Sequence, residues 1–409
     1  MKKKYIQLTS AVITLLFLGI AYAWSLFVGT VQAEYPEWSG TALSFVFTLC
    51  MVCFCSASMV SGKIVRKIGK KKLFLVCAVC YLVGMIGAGN AHQVWHLYLC
   101  YGVLCGSATG LSYNCLISTV TGWFPQKPGM ASGILMMGFG MGGLILGATI
   151  TALHEELGWR KTFFLLAVVY CGLMVYQAFF LRSAPEKAGH TASRIPSGRC
   201  GELSLAESLH TKPIWFYYIW GCMLATIGFG VIGHISQTAL QVESAAFFAV
   251  LATGTLSVSN GVSRVIFGVI YDQWGRKTAM WLINGFILVG VLLIGIALVL
   301  QSPGIILFGA LCIGLGYGGS VSCNSAYARE YYGEKYFAEN FGFISSDGLL
   351  SAFLGPTIMS VLEHITGDYL YAYISMLLFC GMMWIMESKI SREEDKPFFP
   401  SFKNENHIC

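Results

Sequence analysis

The chain has 409 residues, of which 56% are hydrophobic and only 11% are charged, and its mean hydropathy is +0.66. This composition excludes an ordinary soluble protein, whose surface needs many more charged side chains. The formal net charge of +6 needs no nucleic-acid partner, because the cationic residues are distributed as a membrane topology requires.

Twelve apolar runs recur along the chain, and most have the roughly 20 residues that a helix needs to cross a hydrocarbon core about 30 Å thick. Lipid forces the backbone polar groups to be satisfied within each segment, and the runs lack the alternation of barrel strands. We therefore predict an all-α polytopic membrane protein. The predicted spans are 6–31, 40–62, 73–90, 94–121, 129–152, 161–181, 213–236, 247–271, 279–300, 303–328, 338–362 and 367–388.

Lysine and arginine set the predicted orientation. All 26 of these residues except Arg160, Lys161 and Arg264 fall in the ends and loops on the same side as the N terminus. By the positive-inside rule, both termini lie in the cytoplasm, and we predict a plasma-membrane protein in contact with lipid. The first run, 6–31, exceeds the core of about 7 to 15 residues in a signal peptide, so we expect no cleavage.

The chain reads as a duplication, because the first span begins at residue 6, the seventh at 213, and the others repeat with a similar offset. A polar stretch rich in Gly, Pro and Ser separates the two sets of six spans and is typical of a linker, with a short surface helix expected at 202–210. The predicted divisions are a six-helix half at 1–181, a cytoplasmic linker at 182–212, a second six-helix half at 213–390 and a cytoplasmic tail at 391–409.

The cysteines raise the alternative of a metal or redox site. Two C-x-x-C pairs occur, at 50–53 and 77–80, but they are predicted at different depths in the membrane and cannot readily share one metal. His92 and His96 have helical spacing without a third ligand nearby. We predict no metal and no cofactor, and we interpret the cysteines as small apolar filler.

Two loops carry related motifs. The loop after the second span reads GKIVRKIGKKK (62–72), and the loop after the eighth reads GVIYDQWGRK (268–277). The second loop matches G-x-x-x-D-x-x-G-R-K, the loop signature of the major facilitator superfamily. The chain therefore resembles these twelve-helix secondary transporters, in which two six-helix halves rock about a central site.

The signature indicates a gate. Its glycines permit a tight turn, and its acid can cap the N terminus of an adjacent helix. In the first copy Arg66 stands where an acid is expected, which leaves a gating role and a purely topological role open for that loop. The predicted gating residues are Gly268, Asp272, Gly275 and Arg276.

Three longer segments narrow the resemblance. GIAYAWSLF (19–27), GLSYNCLISTVTGWFPQKPGMASGILMMGFGMGG (110–143) and NGVSRVIFGVIYDQWGRK (260–277) are similar to the oxalate/formate antiporter family and the related monocarboxylate transporters. The resemblance implies a central cavity lined by several helices, the eighth and eleventh among them. From these segments and the tenth span, the residues expected at the site are Tyr22, Trp24, Tyr113, Asn114, Tyr317, Asn324 and Tyr327.

Arg264 is the central candidate for binding a solute. It lies eight residues before Asp272, which places it about 12 Å into the membrane, and Asn260, Gly261 and Gly268 share its helical face. The face predicts a polar interior, although a side chain that snorkels to the headgroups is the alternative. A guanidinium at this depth needs an anion, and its planar fork suits a carboxylate. We include Asn260 among the binding residues.

Asp347, in the eleventh span, is the predicted acid of the site. We expect it to pair with Arg264 when the site is empty and, once protonated, to release the arginine to the incoming carboxylate. A static ion pair is the alternative. His234, at the outer end of the seventh span, is a second candidate for proton transfer, with an ordinary interfacial histidine as the other interpretation.

These features predict a secondary active transporter, not an enzyme, for a small organic anion that moves with a proton or against a counter-anion. A monocarboxylate of the lactate, pyruvate or formate class is favoured, because the oxalate type carries a second cation in the eleventh helix, and no Lys or Arg lies between Lys335 and Lys389. An oxalate/formate exchanger and a non-transporting membrane sensor are the alternatives. We expect a monomer.

Overall fold

The computed structural model describes residues 2–20, 24–184, 201–242 and 246–394, and over these residues the chain folds into helices without a strand. This confirms the predicted all-α class. Tyr22, residues 185–200 of the predicted linker and nearly all of the predicted tail lie outside the described residues.

The helices of the first half begin close to the predicted spans. A π-helical segment, Tyr98–Cys105, joins two of them. They are α1 (Lys2–Leu18), α2 (Ser25–Glu34), α3 (Gly40–Ile68), α4 (Lys70–Gly89), α5 (Val94–Leu97), α6 (Gly106–Thr121), α7 (Pro128–Gly140), α8 (Gly142–Leu157) and α9 (Trp159–Phe180).

A short helix precedes the second half in the chain. Its eleventh predicted span is broken into two helices at Ser345 and Ser346. The helices are α10 (Leu205–Ser208), α11 (Lys212–Val242), α12 (Ala246–Leu300), α13 (Pro303–Tyr332), α14 (Phe337–Ile344), α15 (Asp347–Thr366) and α16 (Leu370–Glu394).

The helices account for the twelve predicted spans. In the described part of the chain, 10 helical stretches are long and apolar enough to cross a membrane. One of them, α12, has 55 residues with a non-helical Gly275 inside, so it supplies two crossings. The first predicted span is divided between α1 and α2, which are too short to be counted singly.

The duplicated loops share a backbone turn. Gly69 separates α3 from α4 with φ 79°, and Gly275 interrupts α12 with φ 77°. Both values lie in the left-handed region, which glycine adopts without the steric cost that a Cβ atom brings. The repeat recognised in the two loop motifs is therefore also a repeat of backbone geometry.

The predicted surface helix of the linker is present but shorter than 202–210. It begins after Ser204, whose backbone N–H donates to the Glu207 carboxylate at 2.7 Å, while the Ser204 hydroxyl accepts from the Glu207 backbone N–H at 3.4 Å. This reciprocal capping fixes the start of α10. The hydrogen bonds from Ser204 also lower the pKa of Glu207.

Arg160 anchors the end of the bundle opposite to the duplicated loops. Its Nη2 donates to Glu34 Oε1 at 2.9 Å, and its Nη1 donates to the Gly89 carbonyl at 2.9 Å. Partial burial raises the pKa of Glu34, but the hydrogen bond and charge of Arg160 outweigh it and leave the pKa below its ordinary value. Arg160 thus joins α2, α4 and α9 within the first half.

Candidate functional site

Arg264 reaches from α12 to the opposite half. Its Nη1 donates to the Met136 carbonyl of α7 at 2.6 Å, and its Nη2 donates to Asn260 Oδ1 at 3.4 Å. Its buried Nε has no hydrogen-bond partner in the described chain. The guanidinium lies against Gly140, where a Cβ atom would be 2.6 Å from Nη1. The side chain therefore points into the seam between the halves and does not snorkel to the headgroups.

Asp347 is the first residue of α15, just after the break in the eleventh span. Its Oδ2 accepts a hydrogen bond from Asn324 Nδ2 at 3.3 Å and lies beside the Cα of Gly221 on α11. The predicted ion pair with Arg264 is not formed: both residues are described, and no nitrogen and oxygen of the two come within 4.0 Å. The reason is that Arg264 extends toward α7, whereas Asp347 faces α11 and α13.

Two tyrosines lie near both charged residues. The charges of Arg264 and Asp347 both act on the hydroxyls of Tyr113 and Tyr317. In the part of the chain that the structure covers, neither hydroxyl has a hydrogen-bond partner. The structure therefore brings together four of the predicted site residues, and two of them have free hydroxyl groups.

Aromatic rings pack beside Tyr113. Its ring centroid lies 4.8 Å from that of Phe139 and 5.3 Å from that of Phe54. On the other side, Phe229 lies 5.5 Å from Tyr317. Rings of this kind enclose the apolar part of a ligand while a hydroxyl donates to its polar part.

Other predicted binding residues use their polar atoms in contacts between helices. Trp24 is 2% exposed, and its indole N–H donates to the Leu43 carbonyl at 2.8 Å. The Tyr327 hydroxyl donates to the Pro213 carbonyl at 3.1 Å. These bonds occupy the donors that the sequence assigned to a solute, because each side chain lies between packed helices.

Asn114 and Asn324 bridge helices near the site. Asn114 Nδ2 donates to the Ser58 carbonyl at 3.0 Å and to the Ala338 carbonyl at 2.9 Å, so it crosses from α6 to α14. Asn324 holds Asp347 and also accepts from the Tyr217 hydroxyl at 3.1 Å. Asn114 thus joins the two halves, while Asn324 orients the predicted acid.

His234 lies apart from these residues. Its Nδ1 is 3.3 Å from the Gly230 carbonyl, and its ring is 5.8 Å from that of Tyr369. These contacts are with residues of α11 itself and of the turn before α16. The structure does not bring His234 together with Arg264 or Asp347.

The second duplicated loop caps a helix of the first half. Asp272 Oδ1 accepts from the Gly129 backbone N–H, and its Oδ2 accepts from that of Met130, each at 2.8 Å. Helix α7 has no side-chain cap of its own at Lys127, so the carboxylate satisfies two of its free N–H groups and interacts with the helix dipole. A Cβ atom at Gly268 would be 2.2 Å from the Gly129 carbonyl oxygen, so only glycine permits this approach.

Arg276 has a different role from the other signature residues. It is 3% exposed, its Nη2 donates to Ser391 Oγ at 2.9 Å, and its Nη1 is 3.5 Å from Glu387 Oε1. These partners lie on α16, so Arg276 fixes the turn at Gly275 within its own half. Sequence reasoning missed Glu387, although an acid inside the predicted twelfth span was a signal.

The first duplicated loop also contacts the opposite half. Arg66 forms an ion pair with Glu339 in the first turn of α14, and its guanidinium lies 4.9 Å above the Tyr336 ring. A Cβ atom at Gly62 would be 2.9 Å from the Ala338 Cβ. This contact favours the gating interpretation for the first loop. Glu339, which is 2% exposed, was not predicted; its signal was an acid at the start of the eleventh span.

The bundle is therefore closed at the end where residues 62–72 and 268–277 lie, which we call the loop end. Besides the two loops, Arg329 of α13 crosses the seam and donates from Nη2 to Thr121 Oγ1 at 2.7 Å. Arg264 lies deeper in the same seam. Such a closed end is what one state of an alternating-access transporter requires.

Comparison with known proteins agrees with this architecture. A family model described as Major Facilitator Superfamily matches residues 10–390. The uncharacterized MFS-type transporter YhjX of Escherichia coli (strain K12) is 25% identical over 349 residues, which are 84% of each chain. The oxalate:formate antiporter of Oxalobacter formigenes is 25% identical over 80% of this chain and 76% of its own.

A human relative and a solved structure extend the comparison. Monocarboxylate transporter 11 of Homo sapiens is 22% identical over 84% of this chain and 73% of its own. The structure of the proton:xylose symporter XylE covers 96% of both chains with a TM-score of 0.70 at 14% identity, a likeness of fold alone. The chain therefore belongs to the Major Facilitator Superfamily and is a multi-pass membrane transporter, from a family of carriers that move small molecules with proton or counter-ion coupling.

Proposed function

We propose that the protein transports a small monocarboxylate of the lactate, pyruvate or formate class and that Arg264 binds the carboxylate. The observation that carries the proposal is the setting of Arg264: its guanidinium lies between the halves and, among the residues that the structure describes, donates only to a backbone carbonyl and an amide oxygen. A carboxylate would satisfy the charge and the planar donors of this guanidinium better than these two neutral oxygens do.

The surroundings of Arg264 support a solute with one carboxylate and a small apolar end. Tyr113 and Tyr317 have hydroxyls available to donate, and Phe54 and Phe139 pack beside Tyr113. A dianion would need a second cation, and the sequence has no Lys or Arg between Lys335 and Lys389. An oxalate/formate exchanger is the second candidate, favoured by the relative with that name.

Asp347 is the proposed proton site. Its carboxylate accepts from the neutral side-chain amide of Asn324 and has no cation within ion-pair distance in the described chain. A partly buried charge at this depth without a counter-ion is costly, and uptake of a proton or arrival of a cation relieves that cost. Since the pair with Arg264 is not formed, we propose that the two residues act through the solute and tyrosines between them.

The remaining predictions belong to the same proposal. We place the protein in the plasma membrane as a monomer with both termini in the cytoplasm, so that the loop end is the cytoplasmic end. For the halves we propose the limits 1–181 and 213–390, with the linker and the tail as predicted from the sequence. Of the gating residues, Asp272 and Gly268 act across the seam, whereas Gly275 and Arg276 shape the loop.

Uptake by proteoliposomes tests the proposal. Labelled lactate, formate and oxalate are offered with and without an imposed pH gradient. We expect lactate or formate to enter faster with the outside acidic, Arg264→Ala to abolish uptake, and Asp347→Asn to lose the effect of the gradient. Arg182→Ala, which removes an exposed arginine, is the matched control. Full uptake by Arg264→Ala would contradict the binding role.

A further inference from the structure

The hydrogen bond between Arg264 and Met136 joins the two halves of the transporter. Arg264 belongs to α12 and Met136 to α7, and the distance from Nη1 to the carbonyl oxygen is 2.6 Å. The two helices touch along their backbones at the same place, because a Cβ atom at Gly133 would be 2.2 Å from the Arg264 carbonyl oxygen. The bond therefore lies within the seam between the halves, deeper than the contacts of the loop end.

The local structure of α7 exposes this carbonyl to the guanidinium. Helix α7 ends at Gly140, and Met141 interrupts the helix before α8 begins. Because Gly140 has no side chain, the guanidinium can lie flat against it, with Nη1, Cζ and Nη2 all within 3.0 Å of the position that a Cβ atom would take. Gly140 thus positions Arg264 for the bond to Met136.

A carbonyl is a weaker partner for a guanidinium than a carboxylate. The carbonyl is neutral, whereas a carboxylate brings a full charge and accepts through two oxygens at once. An incoming carboxylate would therefore compete with the Met136 carbonyl for Nη1.

We infer that the Met136 carbonyl is an internal competitor of the solute and that Gly140 is a positioning residue for this competition. In the empty transporter the carbonyl holds Arg264 and closes the seam. A bound carboxylate takes Nη1, removes this bond between the halves and lowers the cost of opening the loop end. The inference rests on the proposed function, because it assigns to the same arginine the link between occupancy and opening.

Gly140→Ala tests the bond without any solute. The three atoms nearest to its Cβ all belong to the flexible end of Arg264, so we expect the guanidinium to move while the helix backbone stays in place. We expect the backbone amides of Gly129 and Met130, which Asp272 holds at the loop end, to exchange with deuterium about tenfold faster. The measurement uses the full chain in nanodiscs.

Two further variants make the result interpretable. Gly138→Ala is the matched control, because its Cβ would meet Val12 of α1 and not Arg264; it should exchange like the wild type. Arg264→Gln removes the same bond from the other side and should exchange faster, like Gly140→Ala. Equal exchange in the wild type, Gly140→Ala and Arg264→Gln would overturn the inference. Faster exchange throughout the first half would also overturn it, because that result reports unfolding.

Addition of lactate separates this inference from the proposed function. Lactate at saturating concentration should speed exchange at the same two amides in the wild type and change it little in Gly140→Ala. Calorimetry of lactate binding to the wild type and to Arg264→Ala is run in parallel. If lactate binding depends on Arg264 but leaves exchange unchanged, the competition alone is overturned. If lactate, formate and oxalate all fail to bind, the proposed function is overturned. The exchange measured without solute then still tests whether the Arg264–Met136 bond holds the loop end closed.

Discussion

The two duplicated loops close the same end of the bundle with different chemistry. In the second loop, Asp272 accepts hydrogen bonds from the backbone N–H groups of Gly129 and Met130. In the first loop, Arg66 forms an ion pair with the side chain of Glu339. The repeat has therefore kept the position of the contact, at the first turn of a helix in the opposite half, while the acid has moved from the loop to the helix.

This difference indicates which part of the motif depends on geometry and which on charge. Gly62 and Gly268 both let the loop-bearing helix approach the helix start in the other half, and Gly69 and Gly275 both turn the chain afterwards. The charged residue between them has changed sign without loss of the contact. We conclude that the close backbone approach is common to both loops and that a charge of either sign can stabilise the contact between the halves.

The largest effect is expected for Asp272→Ala. The change removes two charge-assisted hydrogen bonds and leaves the start of α7 uncapped, a loss of about 3 kcal/mol from the closed state. Opening of the loop end should become about a hundredfold more frequent. Deuterium exchange at the Gly129 and Met130 amides measures it.

Glu156→Ala provides the control for this prediction, because Glu156 is an exposed acid at the opposite end and its loss should leave exchange unchanged. If Asp272→Ala exchanged like the wild type, the carboxylate would be dispensable for closure. The comparison between the loops would then rest on the glycines alone.

Gly268→Ala has the next largest expected effect, and Gly62→Ala is its matched counterpart in the first loop. A Cβ atom at Gly268 would be 2.2 Å from a backbone oxygen, whereas one at Gly62 would first meet the Ala338 Cβ at 2.9 Å. Neither a backbone oxygen nor an alanine Cβ can move aside by itself, so the closer contact at Gly268 decides the order. We expect about 2 kcal/mol lost from closure for Gly268→Ala and about 1 kcal/mol for Gly62→Ala.

The two variants are compared by deuterium exchange of the backbone amides in the first turns of α7 and α14. The order of the two effects is the decisive result. A larger effect of Gly62→Ala would mean that the first loop, and not the second, sets the fit between the halves.

Charge reversal tests the first loop. Arg66→Glu places two acids together and leaves the buried Glu339 without its cation, so we expect about 1 to 2 kcal/mol lost from closure. The double change Arg66→Glu with Glu339→Arg restores opposite charges and should recover about half of this loss or more. The readout is exchange at the start of α14.

The second loop supplies the contrast for this reversal. Asp272→Lys should not be rescued by Met130→Asp, because the partners of Asp272 are backbone groups. Rescue in the second loop, or its failure in the first, would remove the proposed difference between the two contacts.

The sequence could predict the parts of the molecule that depend on local pattern. The spans follow from hydropathy, the turns at Gly69 and Gly275 from the motif, and the inward direction of Arg264 from the polar residues on its helical face. Capping by Asp272 was also predicted, because the acid of the loop signature can cap the N terminus of an adjacent helix. In each case the signal lies within one turn or one helix.

Contacts between distant helices could not be predicted in this way. The acceptor of Arg264 is the backbone carbonyl of Met136, which no residue pattern marks. Glu339 and Glu387 became partners of arginines only through packing of helices far apart in sequence. For the same reason the expected pair of Arg264 with Asp347 was wrong in this structure: spacing along one helix does not tell which neighbour a long side chain reaches.

The smallest effect is expected from salt. The Arg66 side chain is 45% exposed, so ions reach its pair with Glu339, whereas the carboxylate of Asp272 is partly buried against α7. Raising the salt from about 0.1 M to about 1 M shortens the screening length from about 10 Å to about 3 Å. Screening of the exposed Arg66 side of this pair should cost at most about 1 kcal/mol, so exchange at the start of α14 should rise a few-fold while that at the start of α7 stays constant. Since both helix starts are measured in one sample, each serves as the control for the other. An equal rise at both would indicate that salt loosens the whole seam and that the two loops do not differ in their dependence on charge.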